Sequence, residues 1–553
     1  MSRFLTRSFT RLMLAVSVVA GVCVAAAAQL PECPLRPSPG TVVQDALSLS
    51  SQNGLLALAL TMRNGVDSLG FAHYCYDYTS SAGMIEAPTL RLNPGDTLTI
   101  DFTNQLNATP PTAANNKFAA TAHMGHSHAK ASTSTNPCVD TFEDLNTTNI
   151  HFHGLNVPPV CHGDDVLTTL IQPGPTPFQY SIQIPTNEPP GLYWYHPHPH
   201  GYSALQVNGG AAGAIIINGI EKVKPQVSGL KERVFVIRQQ FLNFAAWVPG
   251  PYQLTLNYEP ALYPVSPSPI IEMAPGEKQF WRVANSTTQA FLSLSMLFGS
   301  TPQNLEIISL DGVPVTNDPF VTSINIPPAG RAEFIVTAPP AGQAATFVNN
   351  GFNTGPVGNA NAVQLLANIS TSSSSSVNQS VSRQAAQIVP TAPVVASAAK
   401  VTQRFAGLET IKATTQRKLY FSEAPLGSNP PVSFFITVDG QIPKLFSIDE
   451  PPAIVTKVGA VEDWTIENHT SEEHAFHMHQ IHFLVLSVNG VPLATPVLQD
   501  TYNMPFWPGT GPYPSITVRM DFRDPNIAGT FVYHCHVLDH EDAGMMAKIE
   551  VDP

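Results

Sequence analysis

Positive charge is scarce in this chain. Lys and Arg number 27 against 40 Asp and Glu, only 12% of the 553 residues are charged, and the formal charge is −13. Such a chain offers no electrostatic footprint for nucleic acid and little pull towards an anionic membrane. Long apolar runs are missing beyond the first 28 residues, so no membrane-spanning segment is expected in the rest. Methionine is sparse, 12 residues without a dense cluster, and cysteine is limited to six. Turn residues, by contrast, are plentiful: 51 Pro and 36 Gly, with 43% of the chain apolar. That composition suits a turn-rich globular protein with several cores, and the length suits about three domains.

Residues 1–28 are expected to be a secretory signal peptide. Arg3, Arg7 and Arg11 make a basic start, Leu12 to Ala28 is an apolar run, and Ala26-Ala27-Ala28 suits cleavage. No twin-arginine pair is present, which favours the general export route, and Val22 before Cys23 fits lipid attachment poorly. The expected location is periplasmic or secreted. In that oxidising setting Cys33, Cys75, Cys138 and Cys161 are expected to form disulfides. Sequence does not fix their connectivity. Cys138–Cys161 is favoured because it would staple the segment around His151 and His153.

A repeat runs through the chain. Gly95 to Asn104, Gly276 to Asn285 and Gly459 to Asn468 each run from Gly to Asn over the same interval. Each alternates apolar residues with period two: Leu98/Ile100/Phe102, Trp281/Val283, Trp464/Ile466. Such alternation predicts a half-buried strand. Copies about 180 residues apart predict related β domains. The fold class is therefore all-β, built of sandwiches or Greek-key barrels.

Four His-x-His pairs stand out: His151-Phe152-His153, His196-Pro197-His198, His477-Met478-His479 and His534-Cys535-His536. With 18 histidines, chance gives fewer than about one. In an extended segment both histidines of a pair face the same way, and Cys535 faces the other. The pairs together suit a multi-metal cluster. His474 has opposite parity to His477 and should turn towards Cys535. With His540 and Met545 it completes a thiolate, two imidazoles and a weak thioether, the donor set of a blue-copper electron-transfer site. The segment would wire one metal site to another through a single residue.

In this combination the chain resembles three-domain multicopper oxidases of the laccase type. The family's four motifs stand here as His-Phe-His-Gly (151–154), Trp-Tyr-His-Pro-His-Pro-His-Gly (194–201), His-Ala-Phe-His-Met-His (474–479) and His-Cys-His-Val-Leu-Asp-His-Glu-Asp-Ala-Gly-Met (534–545). The second and fourth look closest to bacterial periplasmic members, cuprous-ion oxidases included. One departure is Gln480-Ile481-His482, where fungal laccases usually have Gly-His; it removes no ligand. The resemblance implies three cupredoxin-like Greek-key domains, at 29–220, 221–370 and 401–553, with a linker at 371–400. It implies four copper ions. His474, Cys535 and His540 would hold the type 1 copper, with Met545 axial. His151 and His477 would hold the type 2 copper. His153, His196, His198, His479, His534 and His536 would hold the two type 3 coppers. The motifs fall in the first and third domains, so the cluster should lie between them, with the middle domain mainly a spacer.

The implied reaction takes single electrons from a phenol or aromatic amine at the exposed edge of His474 or His540. They pass through Cys535 to His534 or His536, and dioxygen is reduced to water. Methionine as axial ligand implies a modest potential, hence electron-rich substrates. Protons are consumed, and the resemblance gives Glu541 a proton role; a second reading has it orient a ligand histidine. Asp164 or Asp165 occupies the region of a family acid near the type 2 copper. An alternative substrate is Cu(I) or another reduced metal ion, although such oxidases often carry a methionine-rich insert that is absent here. A non-enzymatic copper-binding protein is a third reading, disfavoured by the complete ligand set, and a copper nitrite reductase would lack the four pairs. His73, His162, His200, His469 and His482 are expected outside the copper sites, although His200 continues the parity of His196 and His198. The polar insertion at 107–136 carries His123, Met124, His126 and His128, as an auxiliary copper site or a plain loop.

Overall fold

In the computed structural model of the protein the described residues are 33–34, 36–66, 72–81, 83–107, 136–139, 143–241, 252–262, 264, 267–359, 361–371, 404–424 and 433–553. The expected signal peptide, the linker beyond residue 371, and His123, Met124, His126 and His128 lie outside them.

Each copy of the Gly-to-Asn repeat forms a strand inside a sheet: Thr97–Asn104, Lys278–Ser286 and Val461–Asn468. Each runs parallel to an earlier strand, respectively Leu55–Val66, Lys231–Phe241 and Thr415–Ala424. Each runs antiparallel to a later one, Phe178–Gln183, Arg331–Thr337 and Ser515–Asp521. The closing asparagines have a shared task. Asn104, Asn285 and Asn468 are buried, and their side-chain amides donate to loop carbonyls of Ile171, Ala290 and Glu472 at 2.7–2.8 Å. The first and third copies show the expected alternation of burial, but the middle one is buried on both faces. The reason is packing between cores: Val234, Val236 and Ala284 of the middle sheet press against Leu192, Ala214 and Ile216.

Among the described residues six sheets result, and each third of the chain has an apolar cluster shared by two of them. Trp281 anchors the middle cluster and Trp464 the last. The disulfides are Cys33–Cys75 and Cys138–Cys161, the second being the favoured pairing. No helix among the described residues is long and apolar enough to cross a membrane.

Two sheets set the motifs side by side. His151–His153 lies antiparallel to Gly191–His196, with His151 opposite His196. His474–Met478 lies antiparallel to Gly529–Cys535, with Phe476 opposite Cys535 and His477 opposite His534. A cross-link follows just beyond: Asp542, in the helix Leu538–Asp542, accepts the backbone N–H groups of Ser203 and Ala204 at 3.2 and 2.8 Å. It caps the helix Ser203–Asn208 that follows the second motif.

Candidate metal centre

Cys535 ends its strand in the core of the last third. Its Sγ lies 3.5 Å from Nδ1 of His474 and 3.9 Å from Nδ1 of His540, and those nitrogens are 3.2 Å apart. The Cys535 N–H donates to the carbonyl of Met545, which shares the same apolar cluster. Burial pushes the Cys535 thiol up to about 12 and holds His474 and His540 below the usual imidazole range. A thiol so placed is neutral unless a metal ion takes its proton's place.

The outer nitrogens of these histidines do not meet open solvent. Nε2 of His474 is 2.9 Å from Thr470 Oγ1 and 3.4 Å from Glu423, and Nε2 of His540 is 3.4 Å from Glu472. Phe434 stacks on His540 at 4.1 Å. His474 is 0% exposed and His540 7%. The expected exposed edge is thus lined by acidic side chains, because Glu472 lies two residues before the strand His474–Met478 and Glu423 next to the end of Thr415–Ala424. Burial and the facing Glu423 push Glu472 up to about 9.

His534 and His536 flank Cys535 and join the other six histidines. His151 stacks on His479 at 3.9 Å between ring centroids, and His153 on His477 at 4.0 Å. Nε2 of His534 is 3.4 Å from Nε2 of His198 and 3.1 Å from Nε2 of His479. His536 lies 5.1 Å from His153 and 5.5 Å from His196, centroid to centroid. All eight are buried. Desolvation holds their pKa values down, reinforced by neighbouring imidazoles in all but His477, to about 4 for His198 and His477. They are neutral near pH 7, as metal binding requires.

The residues fit copper. His151 Nε2, His153 Nδ1, His196 Nε2, His477 Nε2, His479 Nδ1 and both nitrogens of His536 are buried without a hydrogen-bond partner among the described residues. Each such atom costs about 1–3 kcal/mol if nothing replaces water. Collected in one place, they form a lining for cations. His474, Cys535 and His540 bring ligand atoms within 4.8 Å of one another, as do His198, His479 and His534. Imidazole with one thiolate is a donor set that suits copper.

Of the two aspartates, Asp164 faces the cluster. It is buried, both oxygens lie 3.0 Å from His151 Nδ1, and it accepts from the Phe152 N–H at 2.8 Å and Gln480 Nε2 at 2.6 Å. Asp165 instead caps the local backbone at Leu167 and Thr168. The departure at Gln480 therefore has a role, since its amide orients Asp164. Glu541 is fully buried, 3.9 Å from Nδ1 of both His198 and His200, and neither oxygen has a hydrogen-bond partner among the described residues. Desolvation, then Asp542 and Glu143, raise its pKa well above the usual range.

His200 stands apart from the cluster, its ring edge on Phe446. His482 is buried and hydrogen-bonds the Asp311 carbonyl at 2.8 Å; His469 pairs with Glu467 at 2.8 Å; His162 stacks on Phe178; His73 sits in the strand Ala72–Ser80. Sequence reasoning missed Asp500, Arg331, Asp311, Glu143 and Glu423. None carries a local motif, although Glu472-Glu473 ahead of His474 was a visible cue.

A thiolate–imidazole site joined through one strand to an eight-imidazole cluster, on cupredoxin β cores, defines a copper oxidoreductase. Sequence profiles of the multicopper oxidase family match residues 139–222, 193–370 and 426–553, together well over half of the chain. The chain belongs to that family, and it is a copper enzyme that uses dioxygen. Multicopper oxidase mco of Staphylococcus haemolyticus is 25% identical over 421 residues, covering 74% of this chain and 77% of that protein. The metallo-oxidase of Campylobacter jejuni superposes with a TM-score of 0.64 at 20% identity, covering 94% and 97% of the two chains. A laccase from Pediococcus acidilactici superposes with a TM-score of 0.61 at 18% identity, covering 95% of each. At such identities these structures bear on the fold alone.

Proposed function

We propose that the protein is a laccase-like oxidase of electron-rich phenols and aromatic amines, exported to the periplasm or secreted, with its signal peptide at 1–28. The reading assigns four coppers: type 1 at His474, Cys535 and His540 with Met545 axial, type 2 at His151 and His477, and a type 3 pair at His153, His196, His198, His479, His534 and His536. The cores are assigned as domains at 29–220, 221–370 and 401–553, joined by a linker at 371–400. The observation that carries the reading is Cys535 between His534 and His536, which gives the two sites a covalent bridge one residue long. When bound, the coppers supply one-electron acceptance at the Cys535 site and four-electron reduction of dioxygen at the histidine cluster. The protein's own residues do the rest. Phe434 and the apolar core keep water from His540 and Met545. Asp164 orients His151. Glu541, whose carboxyl burial pushes towards the protonated form, stands 3.9 Å from His198 as the proton donor.

A second reading has Cu(I) or another reduced metal ion as substrate. The Glu423 carboxylate, with the acid of Glu472 facing it, favours it, because the two stand where a cation would meet the outer nitrogens of His474 and His540. The test is oxygen uptake by the copper-loaded protein with 2,6-dimethoxyphenol and then with Cu(I), each normalised to the blue absorbance. Faster uptake with the phenol supports the first reading, and faster uptake with Cu(I) replaces it with the second. Blue protein without uptake from either donor contradicts both.

A further inference from the structure

Arg331 belongs to the middle core, yet its side chain ends beside the histidine cluster. It opens the strand Arg331–Thr337 and is fully buried. Its guanidinium grips Asp500 with two parallel bonds, Nη1 to Oδ1 at 2.7 Å and Nη2 to Oδ2 at 2.5 Å. Its other donations go to the carbonyls of Leu192 at 3.3 Å, Ala329 at 3.1 Å and Asp311 at 2.9 Å. All three cores therefore meet at this one side chain. Asp311 sets the backbone on both sides: it accepts the Arg331 N–H at 2.8 Å and the N–H groups of Asp500 and Thr501 at 3.3 Å.

Asp500 in turn holds one histidine from each of two motifs. Its carbonyl accepts from Nδ1 of His477 at 2.8 Å, and its carboxylate lies 3.4 Å from Nε2 of His153. The nitrogens left over, Nε2 of His477 and Nδ1 of His153, are the buried unpartnered ones. A hydrogen bond at one ring nitrogen fixes the tautomer and leaves the other free for metal. The motif glycine answers to the same pair. A Cβ on Gly154 would stand 2.5 Å from Arg331 Nη2 and 2.7 Å from Asp500 Oδ2.

We propose that Arg331 is a positioning residue for the copper cluster: by clamping Asp500 it decides which nitrogen of His477 and of His153 is offered to metal. The middle core thereby takes part in building the oxygen site instead of only spacing the other two. A lysine carries the charge but not the two-pronged grip, so it should restore the function only in part. The inference rests on the ligand assignment proposed above.

The experiment compares copper-loaded full-length parent, Arg331→Met, Arg331→Lys, Arg282→Met and His477→Ala. Arg282 is another buried arginine of the middle core, bound to Glu232 and Glu333 and away from the histidines, so its loss reports the general cost of an orphaned buried ion pair. Copper per chain, blue absorbance, the type 2 electron paramagnetic resonance signal and oxygen uptake are read on each. Arg331→Met should keep the blue absorbance, lose most of the type 2 signal, and slow oxygen uptake about 10–100-fold. Arg331→Lys should fall between it and the parent, and it carries the test if the methionine variant does not fold. Arg282→Met should melt earlier but keep the type 2 signal. An Arg331→Met or Arg331→Lys protein with the parent's type 2 signal overturns the proposal, as does an Arg282→Met protein that loses the signal equally. A His477→Ala protein that keeps the signal overturns the ligand assignment and the inference with it.

Discussion

Replacing Gly154 by alanine should damage the fold and the copper cluster together. The residue adopts φ of +86° directly after His153. Alanine there costs about 1–2 kcal/mol in backbone strain. The new methyl would also meet Arg331 and Asp500 at 2.5 and 2.7 Å and Tyr193 at 3.0 Å, all buried and held by other contacts. Overpacking of that kind costs about 1–3 kcal/mol. The sum is about 2–5 kcal/mol, and for a core of this size the thermal midpoint should fall by roughly 5–15 °C. Gly65→Ala is the matched control, since no atom lies within 4 Å of its Cβ and its φ is not in the left-handed range. Differential scanning calorimetry on the copper-free proteins reads the fold, and type 2 resonance on the loaded ones reads the cluster. A Gly154→Ala protein that melts with the parent and binds copper normally would refute the packing argument.

Three further outcomes are expected. Cys535→Ser should lose the blue absorbance and slow phenol-driven oxygen uptake at least about 100-fold, since no thiolate then joins the two sites; uptake at the parent rate contradicts the bridge. Glu472→Gln with Glu423→Gln should raise KM for Cu(I) about tenfold or more while leaving phenol KM within about twofold, if the carboxylates act on cations; equal changes for both donors contradict that role. The buried histidines should cost the copper-free protein stability as pH falls from about 6.5 towards 4, against the opposite pull of the raised carboxyls of Glu472 and Glu541. His198, His477 and His482 have folded pKa values of about 4, below the unfolded value, so the unfolded chain binds more protons in that window. Each is worth on the order of 3 kcal/mol, present above about pH 6.5 and lost as pH falls towards 4; a His482→Gln protein whose denaturation midpoint keeps the parent's pH dependence contradicts the buried neutral imidazole.

The gathering of the paired histidines was legible because strand parity is a local rule. His474 and His477 differ by three residues, and the fold duly sends one to Cys535 and the other to the cluster. The three-fold repeat was legible too, since each copy keeps its Gly turn and its closing Asn. What sequence could not resolve depends on contacts across cores. Asp164 and Asp165 are adjacent, and a single peptide unit decides which one meets His151. The double-sided burial of Lys278–Ser286 comes from packing on another core, which its own period does not record. Arg331 finds Asp500 across 169 positions, and Glu423 meets His474 from a neighbouring strand. Nothing in either local segment marks those meetings.

The central claim is that single electrons arrive at the Cys535 site and leave four at a time to dioxygen. The most direct measurement counts donor electrons consumed per dioxygen by the copper-loaded protein while hydrogen peroxide is assayed in the same vessel. The account predicts four electrons per dioxygen and no peroxide. Two electrons per dioxygen with matching peroxide would contradict it.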